Sequence, residues 1–227
     1  MKSFVLSLAL FLCSLAGHAQ ARETVAIFGD SYSTYEGFLT PDTMETWYYQ
    51  TPDLKRTDVS HVRQTWWWQV VSEGGYKLGI NNSWSGACIC NTGYGDSDAT
   101  YRSFLTRVDA LGTPDIILVF GGTNDAWAKV PLGEFKYDNI RFADKFCFRP
   151  ALASLLARMQ DRYPNASLYF ISNSDLDKNY TNSIHTICKH YGVPVIQLHD
   201  ISKQNGHPNI SGMKAIARQV LAVIKKP

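Results

Sequence analysis

The chain lacks a charge surplus. Its 22 Lys and Arg against 20 Asp and Glu leave a formal net charge of +2 over 227 residues. That is too little basic excess to hold a polyanion, so nucleic acid is not expected as a partner. It also lacks, after its first residues, any apolar run long enough to span a bilayer. No internal repeat or low-complexity tract is present, which excludes a solenoid. Cysteine is scarce, with five in all. No His stands at ligand spacing from Cys88 and Cys90, so the pattern does not spell a zinc site. Finally, no Gly-x-Ser-x-Gly surrounds any serine, which excludes the nucleophile elbow of the α/β-hydrolases.

What the amino terminus has is a leader. Lys2 precedes an apolar run from Phe4 to Leu12 and small residues through Ala16, Gly17, Ala19 and Ala21. This is the order of a secretory signal peptide, residues 1–21, with cleavage after Ala19 or Ala21. A lipoprotein anchored at Cys13 fits less well, because bulky Leu12 precedes that cysteine where a small residue is wanted. The expected location is therefore secreted or periplasmic. Loss of Lys2 takes the formal charge from +2 to +1. The remainder, 22–227, is one domain's length. It keeps Cys88, Cys90, Cys147 and Cys188, which allow three pairings in an oxidising compartment. Cys88 and Cys90 are poorly spaced to pair with each other, so a bridge would run from this loop to Cys147 or Cys188. Four reduced, buried cysteines fit equally.

The hydropathy pattern alternates strands with helices. Thr24–Phe28, Tyr76–Asn82, Asp115–Phe120, Ser167–Ser172 and Val193–Leu198 read as five strands. Gln64–Glu73, Tyr101–Leu111, Pro150–Tyr163, Asp177–Tyr191 and a last helix carrying Met213, Ile216, Ala217, Val220, Leu221 and Ile224 read as helices between and after them. Such alternation predicts an α/β fold with a parallel sheet covered on both faces. Two aromatic-rich stretches without periodicity, Thr34–Ser60 and Ala128–Arg149, are expected as functional insertions bordering a site. In the run Trp66-Trp67-Trp68 core packing is the expected role, with a substrate platform at Trp66 or Trp68 as the alternative.

Ligands of open parallel sheets sit outside the carboxyl ends of the strands. At those ends stand Gly29-Asp30-Ser31, Gly86 and Gly121-Gly122-Thr123-Asn124-Asp125. A serine hydroxyl needs a base and donors for the oxyanion. The backbone amides of Ser31 and Gly86 and the side-chain amide of Asn124 can supply the donors. His207, in Asn205-Gly206-His207-Pro208-Asn209, is the base candidate, on a segment that Pro208 holds extended. Among the other histidines, His185 and His190 are expected on a helix surface. His199, at the end of the fifth strand, is a weaker candidate near the site. Asp30 and Asp125 are expected to be structural. A second Gly-Asp-Ser at Gly95-Asp96-Ser97 follows no apolar strand and reads as a turn.

Gly29-Asp30-Ser31, Gly86, Gly121 to Asp125 and His207-Pro208-Asn209, in this order, resemble the four blocks of the SGNH (GDSL-type) hydrolase family, across nearly all of 22–227. The resemblance implies a three-layer α/β/α sandwich, flavodoxin-like, with strand order 2-1-3-4-5. It implies Ser31 as nucleophile, His207 as base, and an oxyanion hole of Ser31, Gly86 and Asn124, with no metal or organic cofactor. One position departs from the pattern: where an aspartate is usual three residues before the histidine, this chain has Gln204. The orienter of His207 is then the Gln204 amide oxygen or a backbone carbonyl, with Asp200 a poorer choice. The expected activity is a secreted serine esterase acting on a small-molecule or oligosaccharide ester. Carbohydrate O-acetyl esters are the preferred substrate, and a lipase or lysophospholipase is the alternative. The competing class is a catalytically inactive carbohydrate-binding relative.

Overall fold

A computed structural model describes residues 21–225. The expected leader, apart from Ala21, lies outside the described residues. Five parallel strands form one sheet: β1 (Thr24–Gly29), β2 (Lys77–Ser83), β3 (Ile116–Phe120), β4 (Ser167–Ser172) and β5 (Val195–Gln197), in the order β2-β1-β3-β4-β5. Six helices accompany them: α1 (Trp66–Gly74), α2 (Phe104–Arg107), α3 (Thr123–Trp127), α4 (Phe148–Arg162), α5 (Lys178–His190) and α6 (Ile210–Ile224). A two-stranded antiparallel ribbon, β6 (Lys203–Gln204) and β7 (His207–Pro208), leads into α6.

Alternation along β1 shows how the layers assemble. Successive side chains of a strand face opposite sides. Ala26 and Phe28 enter a core with Phe104, Val119, Phe148, Leu152, Phe170 and Ile184. Val25 and Ile27 enter the other, with Trp66, Trp67, Leu118, Met213 and Ile216. The sheet is thus buried by α2, α4 and α5 on one face and by α1 and α6 on the other. Trp66 and Trp67 are fully buried, and the Trp66 indole N–H donates to the Tyr32 carbonyl at 3.1 Å. They are core residues, as their period suggests.

Register decides where the site can be. Gly29, the last residue of β1, lies opposite Ser83 of β2 and Phe120 of β3. Three strands therefore end level, and the turns after them leave from one edge side by side. Gly29 must be glycine there: a Cβ would come within 2.4 Å of the Ser33 Oγ and 2.9 Å of the Ser83 Oγ.

Two predicted helices are redrawn. The stretch Tyr101–Leu111 is a 3₁₀ turn (Thr100–Arg102) and the four-residue α2. The Ser103 side chain caps at the Thr106 amide, and the Phe104 amide donates to the Cys88 carbonyl at 3.0 Å. The Leu111 amide donates to the Tyr163 hydroxyl at 3.0 Å. Tertiary hydrogen bonds take the amides a longer helix would use, although the apolar positions stay buried. The fourth helix starts two residues earlier than expected, at Phe148. Pro150 still falls in the first turn, where an N–H has no helical partner to lose.

Candidate active site

Ser31 begins a 3₁₀ turn directly after β1, and the Asp30 carboxylate caps that turn by accepting from the Tyr32 amide at 3.0 Å. Burial pushes the Asp30 carboxyl up to about 7. Opposite stands His207, whose Nε2 lies 2.9 Å from the Ser31 Oγ. Its Nδ1 lies 3.1 Å from the Asn205 backbone carbonyl. A carbonyl can only accept, so Nδ1 carries the proton and Nε2 is left as acceptor for the serine hydroxyl.

The ribbon that delivers His207 follows from two residues. Asn205 and Gly206 have φ of +48° and +76°, which makes a two-residue turn of the type I′ kind favoured by Asn-Gly. The ribbon pairs Gln204 with His207 and folds the Asn205 carbonyl back onto the ring. The Tyr32 hydroxyl donates to the Gly206 carbonyl, and the Tyr48 hydroxyl to that of Pro208 at 2.8 Å.

Gln204 does not orient the imidazole. Its amide donates to the carbonyls of Leu54 and Lys55 at 3.0 and 3.3 Å, so the side chain is engaged by the 54–55 loop rather than by the ring. Of the two groups expected beside His207 Nδ1, the one in contact is a backbone carbonyl, that of Asn205. Asp200 is paired with His199 at the surface, so neither reaches the ring.

Asn124, on α3, has its amide fixed at both ends. Nδ2 donates to the Ala87 carbonyl at 3.0 Å, and Oδ1 accepts from the Tyr94 hydroxyl at 2.8 Å. A primary amide has two N–H groups, so one remains to face a ligand. Gly86 follows β2 with φ +76°. Asp125 holds the next stretch of this loop: its carboxylate accepts from the amides of Ile89 at 2.8 Å and Cys90 at 3.2 Å. Burial pushes its carboxyl up to about 6. Asp125→Ala leaves two buried donors unpaired. We expect a loss of about 3 kcal/mol, at about 1–3 per orphaned group. That lowers Tm by roughly 6–12 °C for a chain of this size, readable by thermal denaturation.

The ring of His207 is walled by aromatics. Trp47 stacks on it with centroids 3.4 Å apart and planes 7° apart. Trp127 and Tyr32 approach at 5.6 and 5.2 Å. With His207 5% exposed, burial disfavours the imidazolium and holds its pKa down at about 4. The Asn205 carbonyl offsets this in part, and the charges of Arg56 and Lys203 add to it.

Of the two insertions expected at the site, the first supplies Trp47 and Tyr48. The second packs elsewhere: Tyr137 stacks on His190, Arg149 lies over Phe135, and Phe148 is core. Sequence reasoning missed the roles of Tyr94 and Trp127, both about two-fifths exposed. Their only local signal is nearness to motif residues. All four cysteines in the described residues are free, and burial raises the thiols of Cys88 and Cys90, so they are not reactive nucleophiles. Among the described residues no cluster of three or more His, Cys, Asp or Glu side chains is placed to hold a metal ion. No helix there is long and apolar enough to cross a membrane. A cavity of about 460 Å³ lined by Tyr163, Leu168 and Val193 opens at the amino ends of β4 and β5. That edge is opposite Ser31, so it is not part of this site.

The 2-1-3-4-5 sheet is shared with a class of hydrolases. The chain belongs to the GDSL-like lipase/acylhydrolase family, whose model matches residues 23–224, and is an ester-hydrolysing enzyme. It is similar to a Bacteroides ovatus protein named as a GDSL-like lipase, with 50% identity and TM-score 0.89 over 92% of this chain and 100% of that one. A Bacteroides uniformis protein named likewise gives 48% identity and TM-score 0.88 over 90% and 96%. An acetyl xylan esterase from the rumen bacterium Butyrivibrio proteoclasticus shares the fold, at 13% identity and TM-score 0.61, over 89% of this chain and 63% of that one. No curated protein matches the chain.

Proposed function

We propose that this hydrolase is an exported carbohydrate O-acetyl esterase working through a Ser31–His207 dyad. The observation that carries the mechanism is the 2.9 Å contact of the Ser31 Oγ with His207 Nε2, at an edge where Gly86 and Asn124 also stand. His207 Nε2 takes the hydroxyl proton as Ser31 Oγ attacks the ester carbonyl. Charge moves to the carbonyl oxygen, facing the amides of Ser31 and Gly86 and the free N–H of Asn124 Nδ2. The tetrahedral intermediate collapses, the alcohol leaves with the proton from Nε2, and Ser31 is acylated. Water then repeats the sequence and frees the acid. The Asn205 carbonyl holds the tautomer throughout, the part a carboxylate plays in a triad.

The substrate class rests on exposed Trp127 and Tyr94 beside the dyad, since aromatic faces suit sugar rings, and on the leader at residues 1–21. The fold shared with the acetyl xylan esterase is in keeping with it. The test compares kcat/KM on acetylated oligosaccharides and on long-chain acyl esters. The sugar acetates are expected to be preferred by at least tenfold, and preference for long chains would overturn this reading in favour of a lipase.

A pH profile follows from the imidazole. The base must be neutral, and the folded pKa lies at about 4, below the ordinary value of about 6.5. The acid limb of kcat/KM is therefore expected near pH 4, with activity undiminished at pH 6. Rates measured on a small acetyl ester between pH 3 and 8 check this, and a limb at 6.5 or above would contradict it.

A further inference from the structure

The base of this site has a second layer behind it. Trp47 covers one face of His207, and the Arg56 guanidinium carbon lies 3.5 Å from the centroid of the same indole. Two planar groups that close to one indole cannot share a face, so the order is Arg56, Trp47, His207. The indole Nε1 makes no hydrogen bond, and what Trp47 offers is its face.

Each member is tied down independently. The Thr34 hydroxyl donates to the Ser31 carbonyl at 3.0 Å and accepts from the Trp47 amide at 2.9 Å. One side chain thereby spaces the candidate nucleophile from the stacking ring. The loop bearing Arg56 is sewn to the ribbon: Gln204 donates to the carbonyls of Leu54 and Lys55, and Asn205 to those of Lys55 and Arg56, at 2.7 to 3.3 Å. The position where an acid was expected thus docks a loop that carries a cation.

We propose that Arg56 and Trp47 are positioning residues for His207: their stack fixes the imidazole plane, as a carboxylate does in a triad, while the Arg56 charge, unlike a carboxylate, favours the neutral ring. It rests on the dyad reading above. The groups around the ring are few. Arg56 comes from the 54–56 loop and Lys203 from β6, the latter ion-paired with Asp175. Tyr32 and Ser31 come from the turn after β1, and Trp127 from α3. Among the described residues no carboxylate pairs with His207, so its planar orientation depends on the Asn205 carbonyl at one atom and on Trp47 across the whole face. When the imidazolium forms during attack, that indole face attracts it, and Arg56 opposes the same charge from the far side.

The test has two arms. Trp47→Leu is expected to lower kcat roughly 10- to 100-fold with KM within about threefold, as misplacement of a reacting group does, and Trp47→Phe to recover most of that loss. Arg56→Gln keeps a planar group but removes the charge. The His207 titration, followed by NMR in the Ser31→Ala background, is expected to move to higher pH, and so is the acid limb of kcat/KM in otherwise native protein. A Trp47→Leu protein with unchanged kcat, or a loss carried by KM alone, overturns the positioning role. A His207 midpoint unmoved by Arg56→Gln overturns the electrostatic role, and this readout stands even where Trp47→Leu does not fold. Retained turnover in Ser31→Ala would instead overturn the dyad, so the two failures are told apart.

Discussion

Ser31→Ala is expected to lower kcat on a small acetyl ester by roughly 10⁴- to 10⁶-fold, the scale on which serine hydrolases lose their nucleophile, with Tm unchanged within about 2 °C. The two halves of this result have separate causes. The Ser31 Oγ is bonded to His207 Nε2, whereas the turn is held by backbone: the Ser33 amide donates to the Asp30 carbonyl at 3.0 Å and the Asp30 carboxylate accepts from Tyr32. Removing the hydroxyl therefore removes chemistry and leaves structure. Because serine and histidine act as a unit, the double variant with His207→Ala is expected to be no slower than either single one. Additive losses would mean that the two residues work independently.

Asn124→Ala is expected to cost about 10²- to 10³-fold in kcat with KM little changed, the loss typical of one oxyanion donor. The side chain is pre-set before substrate arrives. Ala87 takes one N–H and the Tyr94 hydroxyl donates to Oδ1, so the amide cannot flip without breaking both bonds. Asn124→Asp is expected to be slower still, since it places a carboxylate where negative charge develops. The loss of the contact to Ala87 makes part of the effect structural, and a Tm measurement apportions it. An Asn124→Ala protein with native kcat would remove this residue from the proposed oxyanion hole.

The centre of the sheet was legible because β1 and β3 are buried along almost their whole length and so appear as apolar runs closed by Gly. Ser167–Ser172 coincides with β4, and Tyr76–Asn82 is one residue out of register with β2. The edge that carries the candidate site was marked by the motifs that terminate the first three strands, and register brings those ends level. Tyr101–Leu111 misled because Phe104, Leu105, Val108 and Leu111 are buried without being one helix. Periodicity reports burial, while the backbone there is bonded to Cys88 and Tyr163. The ribbon at 203–208 was too short for any period, yet Asn205-Gly206 carried its turn in plain sight. Its consequence, a backbone carbonyl facing His207, needs coordinates. The insertion that carries Trp47 and Arg56 was expected beside the site, but its particular contacts with 204–207 were beyond reach of sequence patterns, since they join segments about 150 residues apart.

In the proposed mechanism Ser31 is made nucleophilic by an imidazole whose orientation comes from a carbonyl and an aromatic wall. A fluorophosphonate probe reads this directly, because it phosphonylates an activated serine. Peptide mapping after exposure is expected to find one modified residue, Ser31, with turnover lost in proportion to labelling. Full activity after exposure, or a label on another side chain with Ser31 untouched, would contradict the account.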